Sequence, residues 1–344
     1  MSPPEKADPA NADVVKADIV VVNYRSGEYL QACIDGLLAQ TETAFRVFLV
    51  DNSPETGEVD ALIGLDGRFE ILPQKDNLGF AAGCNLGAGQ GSAPFLAMLN
   101  PDAAPEPDWL ARLLNCMDDT GADMAGSTQL MTNDPTRLDG AGDAYAPFGV
   151  AWRGGFEKRA EIAPPTGYCF SPCAAASIYR RNVFKDVGGF DERFFCYMED
   201  VDIAYRIRMR GGFGVQCKEA VVQHVGSASS GRASPFVIYH GTRNRVWTFL
   251  KNTPPVLFVA MWPLHVLVNI AFLIRSLRHQ RLGITWEATR DGFRGWSWIA
   301  SERKHLARTR SRGSFTLARA MTWSLFKLAG RLPDVRPLKP DQTR

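Results

Sequence analysis

The chain has no CxxC pair and no internal repeat, and its glycine-rich stretch has neither the GxGxxG order nor a Walker lysine. Those absences exclude a simple zinc ribbon, the dinucleotide fingerprint and the P-loop. Seven cysteines, Cys33, Cys84, Cys116, Cys169, Cys173, Cys196 and Cys217, are odd in number and scattered. They fit free thiols in a reducing compartment better than a disulfide framework. A net charge of +2 is too small to point to nucleic acid, so none is expected as a partner. No apolar signal segment opens the chain, and the polar residues 1–17 are expected to form a flexible leader.

What is present is a folded composition, with 45% hydrophobic and 22% charged residues over 344 positions. That length fits one large domain with an appendage, or two modest domains. Asp18–Tyr24 is a buried-strand run that enters a polar loop, and Leu30, Cys33, Ile34, Leu37 and Leu38 follow at helical spacing. Phe45–Val50 and Phe69–Pro73 read as further strands, the first ending in Asp51-Asn52-Ser53-Pro54. Gln74–Gly91 is rich in glycine and small residues, which suits a helix packed closely beneath a ligand or simply against a sheet. Phe95–Leu99 is apolar and stops at Asn100-Pro101-Asp102, where proline ends ladder pairing and leaves the two polar residues at the strand's mouth. The order is that of an α/β domain over residues 18–235 with a mostly parallel central sheet, whose ligand crevice lies outside the carboxyl ends of its strands.

Residues 123–165 lose periodicity and read as turns and loops, with an antiparallel excursion as the alternative. Cys173–Arg180 suits a central strand, and Phe213–Gln223 a strand pair that delivers His224 to a loop containing Ser227 and Ser229. Glu199, Asp200 and Asp202 open a helix, where acidic residues are also favoured by the helix dipole alone. Asp51 and Asp102 stand at strand ends, and Asp200 and His224 come from elements able to return there. One carboxylate with an imidazole suits Mg²⁺ or Mn²⁺ beside a diphosphate, while another takes a proton from an attacking hydroxyl.

From residue 236 to 344 the chain is helical, apolar and basic. Thr253–Ile274 has no acidic or basic residue except His265, and arginines cluster between Arg275 and Arg319. With the amphipathic stretch Phe315–Leu328, this favours helices lying in the interface of an anionic membrane over a single span or a helical cap. Removal of the residues after 250 is then expected to release the protein from anionic vesicles.

The segments VVVNYRSGEYLQACIDGLLAQ, FLVDNSP, DNLGFAAGCNLG, FLAMLNPDA, CAAASIYRRNVFKDVGGFDERFFCYMEDVDIAYRIRMRGG and HVGSASSG occur in order over residues 18–231. Together they resemble the inverting family 2 glycosyltransferases of GT-A fold, in particular their rhamnosyltransferase-like branch. The resemblance implies that Asp51 meets the nucleotide base or ribose, that Asn23 and Tyr24 border the base, and that Asp76, Asn77 and Gly79 close over the nucleotide. It implies that Asn100-Pro-Asp102 stands in the place of an acidic metal motif, with an amide where the first carboxylate is usual. Asp102 and His224 would then hold Mg²⁺ or Mn²⁺, Asp200 would be the catalytic base, and Glu199 would orient it or the acceptor. Arg206 and Arg243 are expected near phosphate. The branch implies dTDP-L-rhamnose as donor, with UDP- or GDP-sugars as the alternative, and a glycan on polyprenyl diphosphate as acceptor. The setting would be polysaccharide assembly at the cytoplasmic face of a bacterial inner membrane, peripherally bound, with room for a homo-oligomer. A nucleotidyltransferase and a noncatalytic nucleotide-sugar-binding protein remain as rivals.

Overall fold

A computed structural model describes residues 14–64, 66–226 and 234–338. The elements in chain order are β1 (Ala17–Asn23), α1 (Glu28–Leu38), β2 (Phe45–Asp51), β3 (Phe69–Pro73), α2 (Gly79–Gln90), β4 (Phe95–Leu99), β5 (Ala103–Pro105) and α3 (Trp109–Thr120). There follow β6 (Met124–Met131), β7 (Asp134–Gly140), β8 (Asp143–Ala146), β9 (Val150–Arg153), β10 (Gly167–Cys169), β11 (Ala176–Arg180), α4 (Arg181–Asp186), α5 (Glu199–Met209) and β12 (Gly214–His224). The carboxyl-terminal part contains α6 (Pro235–Asn252), α7 (Pro255–Leu277), α8 (Leu282–Arg294), α9 (Trp296–Thr309), α10 (Ser314–Ala320), α11 (Leu325–Gly330) and β13 (Arg336–Pro337).

The main sheet runs β13-β10-β12-β6-β11-β4-β1-β2-β3, with β5 on β12 and β7 on β6. Strands β4, β1, β2 and β3 are parallel, as is β12 with β6. β11 enters antiparallel between β4 and β6, and β5, β7, β10 and β13 are antiparallel to their neighbours as well. The sheet is therefore mixed, which corrects the expectation of a mostly parallel one. A strand buried on both faces is apolar throughout and reads alike in either direction, so direction was not in the pattern.

One core lies between the sheet and α1 with α3, built on Ile19, Val21, Leu49, Cys33, Ile34 and Trp109. A second joins the other face to α2, α4 and α5 through Val20, Val22, Cys84, Phe184 and Ile203. On that face α2 lies so close to β1 that an added Cβ at Gly83 would come within 2.8 Å of Val22, and at Gly87 within 2.6 Å of Val20. Contacts that short require a shift, so these glycines serve helix-to-sheet packing.

The stretch read as loops holds regular structure. β6 joins the central sheet, β7 pairs with it, and β8 and β9 form a separate hairpin. The expected strand pair after Phe213 is instead one long strand, β12, with a register shift between Cys217 and Val221. In the tail, α7 runs through Pro263 without ending, and Phe315–Leu328 divides into the short α10 and α11. Residues 1–13, most of the expected leader, and the serines 227 and 229 lie outside the described residues.

Candidate active site

The parallel strands bring their carboxyl ends to one edge, and polar side chains line it. Asn23 at the end of β1 donates from Nδ2 to Asp51 Oδ1 at 3.0 Å and to Glu58 Oε2 at 3.2 Å. Ser53 N also donates to Asp51 Oδ1, at 3.1 Å. Asn23 Oδ1, Asp51 Oδ2 and Asn52 Oδ1 are buried and have no partner among the described residues. Buried acceptors left unpaired are costly, so three at one spot mark a place where a ligand's N–H or O–H groups are expected. Tyr24 is half-buried beside them, with the Arg25 guanidinium 5.6 Å from its ring centroid. Asp76 is exposed, and Asn77 Oδ1 accepts from Gly79 N at 2.9 Å. Gly79 has φ +79°, and a Cβ there would come within 2.6 Å of the Phe195 ring, so the turn requires glycine.

The second group forms where β5 pairs with the end of β12. That register sets His224 opposite Ala103, next to Asp102. His224 Nε2 lies 3.1 Å from Asp102 Oδ1 and 3.4 Å from Asn100 Nδ2, while Nδ1 lies 2.8 Å from Asp139 Oδ2. Asp139, on β7, is in turn ion-paired to Arg153 on β9. Despite burial, the two flanking carboxylates raise the imidazole pKa to about 9. Asp139 and Arg153 were missed because they sit in the stretch read as loops. The Leu138-Asp-Gly-Ala-Gly-Asp143 run, with a carboxylate beside glycines, was the available signal.

Asp200 belongs to the first turn of α5. Its Oδ2 accepts from Ala174 N at 3.1 Å and its Oδ1 from Val201 N at 2.7 Å. The neighbouring Ala175 carbonyl accepts from Asn100 N at 2.8 Å. One short loop thus ties the Asp200 carboxylate to the mouth that carries Asn100 and Asp102. Glu199 is buried, its Oε2 has no partner among the described residues, and burial together with the Asp200 charge pushes its pKa well above the usual carboxylate range. Burial raises Asp200 too, opposed by the two backbone N–H donors.

The residues before α5 are held in unusual backbone geometry, with positive φ at Phe195, Tyr197 and Met198. Such conformations persist only where the surroundings over-determine them. Here the brace is Asn244 on α6, whose Nδ2 donates to the carbonyls of Phe194 at 2.8 Å, Cys196 at 2.9 Å and Tyr197 at 2.8 Å. Arg243 adds bonds to the Arg193 and Phe194 carbonyls, and Arg206 ion-pairs with Asp202 at 2.8 Å. Both arginines, expected near phosphate, are thus engaged with protein partners.

Two sets of atoms have the right chemistry for a cation. Asp102 and His224 converge as an oxygen–imidazole pair beside Asn100, with Asp139 on the far ring nitrogen, and a divalent ion there would have to displace the proton that the two carboxylates favour on Nε2. Ligand atoms of Asp143, Cys173 and Asp200 also lie within 4.8 Å of one another. Burial there raises the Cys173 thiol and, with the Asp200 charge, the Asp143 carboxyl, and both shifts oppose ligation. A thiol is also a soft ligand, so the residues present fit a hard divalent ion better at the Asp102 oxygen and His224.

The mixed α/β sheet, with polar side chains at the carboxyl ends of its parallel strands, is a GT-A-like fold. The family described as Glycosyl transferase family 2 matches residues 18–188. An N-acetylglucosaminyl-diphospho-decaprenol L-rhamnosyltransferase of Mycobacterium tuberculosis (strain ATCC 25618 / H37Rv) is 29% identical over 253 residues, 64% of this chain and 80% of that one. A mannosyltransferase from Pyrobaculum calidifontis, solved with GDP-Man and Mn²⁺, shares the fold at TM-score 0.51 and 15% identity, over 90% of this chain and 87% of that one. GalNAc-T7, solved with UDP, GalNAc and Mn²⁺, does so at TM-score 0.56 and 15% identity, over 69% of this chain but only 48% of that chain.

Proposed function

We propose that this protein is an inverting glycosyltransferase that moves a sugar from a nucleoside diphosphate to a hydroxyl of a glycan carried on polyprenyl diphosphate. The observation that carries the reading is the gathering of the Asn23–Asp51 pair, the Asp102–His224 pair and Asp200 around one sheet edge. In this reading the unpaired acceptors of Asn23 and Asp51 receive the N–H edge of the base, Tyr24 borders it, and Asp76, Asn77 and Gly79 form the turn over the nucleotide. Asp102 and His224 hold Mg²⁺ or Mn²⁺, and Asn100 adds a neutral contact. When bound, that ion supplies positive charge to the departing diphosphate.

Asp200 accepts the proton of the acceptor hydroxyl as its oxygen forms a bond to the anomeric carbon. The bond from that carbon to the diphosphate oxygen breaks on the opposite face, which inverts the configuration. Glu199 orients Asp200 or the acceptor.

dTDP-L-rhamnose is one donor reading, supported by the rhamnosyltransferase relative that matches along 64% of this chain. UDP- or GDP-sugars stand equally well, because an amide–carboxylate pair meets the imide of uracil or thymine and the N1–H edge of guanine alike. Residues 236–344 are taken as the membrane-associating region, peripheral on the cytoplasmic face of a bacterial inner membrane. α7 is long and apolar enough to cross a membrane, and it exposes Val256, Val259 and Leu267.

Asp200→Asn is the decisive variant. Transfer is expected to fall by about 10²–10⁴-fold, the usual weight of a general base. Donor binding, read as protection against thermal unfolding across dTDP-, UDP- and GDP-sugars, is expected to survive. Unchanged turnover would overturn the assignment.

A further inference from the structure

The helices α7 and α8 form an open groove of about 520 Å³, lined by Val266, Ile270, Leu273, Trp286 and Phe293. That volume is in the range of specific ligand sites. Two polar side chains at its floor are spent inside the protein. Asn269 donates to the His265 carbonyl and accepts from Arg245 at 2.7 Å, and Thr289 Oγ1 donates to the Thr285 carbonyl at 2.7 Å. What faces outward is therefore apolar, with Ile270 46% and Trp286 56% exposed.

Charge marks the two ends of the groove. From Pro255 to Trp286 there is no acidic residue, and Arg275, Arg278 and Arg281 surround the turn between the helices. At the other end Arg290 and Arg294, one turn apart on α8, line the groove together, with Arg290 ion-paired to Asp291 at 3.0 Å and 3.9 Å from Glu287. Arg294 is 69% exposed in its side chain and only loosely paired, 3.6 Å from Asp291. Asp291 accepts from Tyr239 Oη on α6 at 3.0 Å, and the adjacent His240 stacks on Phe195, whose ring centroid is 5.4 Å away. This arginine end thus connects, through one turn of α6, to the segment that delivers Glu199 and Asp200.

We infer that the α7–α8 groove binds the isoprenoid chain of the lipid-linked acceptor, with the diphosphate at Arg290 and Arg294 and the sugar end directed toward Asp200. The inference rests on the glycosyltransferase reading above and adds the site that selects a polyprenyl carrier. An apolar channel suits the hydrocarbon, and paired guanidiniums suit the diphosphate oxygens. The groove thereby sets the reach of the acceptor glycan from the membrane.

The test uses the full chain in detergent with a diazirine-bearing polyprenyl diphosphate as probe. Labelling is expected on peptides covering residues 266–294, displaced by unlabelled polyprenyl diphosphate and not by phosphatidylglycerol. Ile270→Trp, which fills the groove from a half-exposed position, is expected to lower labelling about tenfold, a loss of about 1.4 kcal/mol in binding. Val259→Trp, 74% exposed on α7 and not among the groove residues, should leave it unchanged. Labelling spread evenly along the exposed face of α7, equal displacement by phosphatidylglycerol, or equal labelling of the two variants would overturn the proposal in favour of ordinary lipid contact. Sugar transfer to a polyprenyl-diphosphate glycan is measured separately. Groove labelling without transfer would sink the enzymatic reading and leave the binding site standing.

Discussion

At the scale of single residues, the site concentrates its electrostatic cost in Glu199. Its burial and the neighbouring Asp200 raise its pKa well above the ordinary 4.5. The folded state therefore keeps a proton that the unfolded chain releases once the pH passes 4.5. Protons bound in excess by the folded state make stability fall as pH rises, from that ordinary value up to the raised one. Glu199→Gln has no such slope. It is expected to be more stable than the parent at neutral pH, by a margin that grows with pH by at most about 1.4 kcal/mol per unit. Urea unfolding at two pH values within that window measures it, and an identical margin at both would contradict the account. The same scale shows the limits of pattern reading. Asp51, Asp102, Asp200 and His224 were legible because each ends a strand or opens a helix. Asp139 lies at the irregular pairing of β6 and β7, where no hydrophobic alternation announces a strand.

At the scale of elements, α6 ties the tail to the segment that leads into α5. Asn244 is fully buried and serves three carbonyls, so truncation to alanine leaves three buried acceptors without their donor. At about 1–3 kcal/mol for each buried group left unsatisfied, less what water recovers, Asn244→Ala is expected to cost about 3 kcal/mol. Thermal unfolding reads the loss, and donor protection is expected to weaken with it because the Phe195 ring beneath Gly79 is no longer fixed. A shift within the error of the parent would show that the strained stretch holds itself. The sequence offered no hint of this brace, since an asparagine inside an arginine-bearing helix has no periodicity signature.

At the scale of the whole molecule, the tail is less separable than its composition suggests. Lys251 is buried against Asp191 at 2.7 Å and Asp202 at 2.8 Å, and β13 pairs with β10 in the main sheet. Cutting after residue 250 would therefore open the catalytic core and would not simply detach a membrane anchor. Breaking a buried ion pair by removing one partner is strongly destabilising. The better test places charge on the outer face of α7. Val259→Glu with Leu267→Glu, at positions 74% and 59% exposed, is expected to keep the fold and lose binding to anionic vesicles. Retained flotation with phosphatidylglycerol vesicles would reject membrane attachment through this helix.

The amino-acid sequence by itself determined the order of strands and helices from β1 to β4, because alternation between apolar runs and polar strand ends is a local property. It also marked the strand-end carboxylates, since chain reversal at a sheet edge requires polar, turn-forming residues. Only the tertiary structure decided the direction of β11, the partnership of His224 with Asp139, and the union of the tail with the core. Each of these depends on contacts between segments tens of residues apart, and a doubly buried strand or a lone polar side chain carries no local mark of its distant partner.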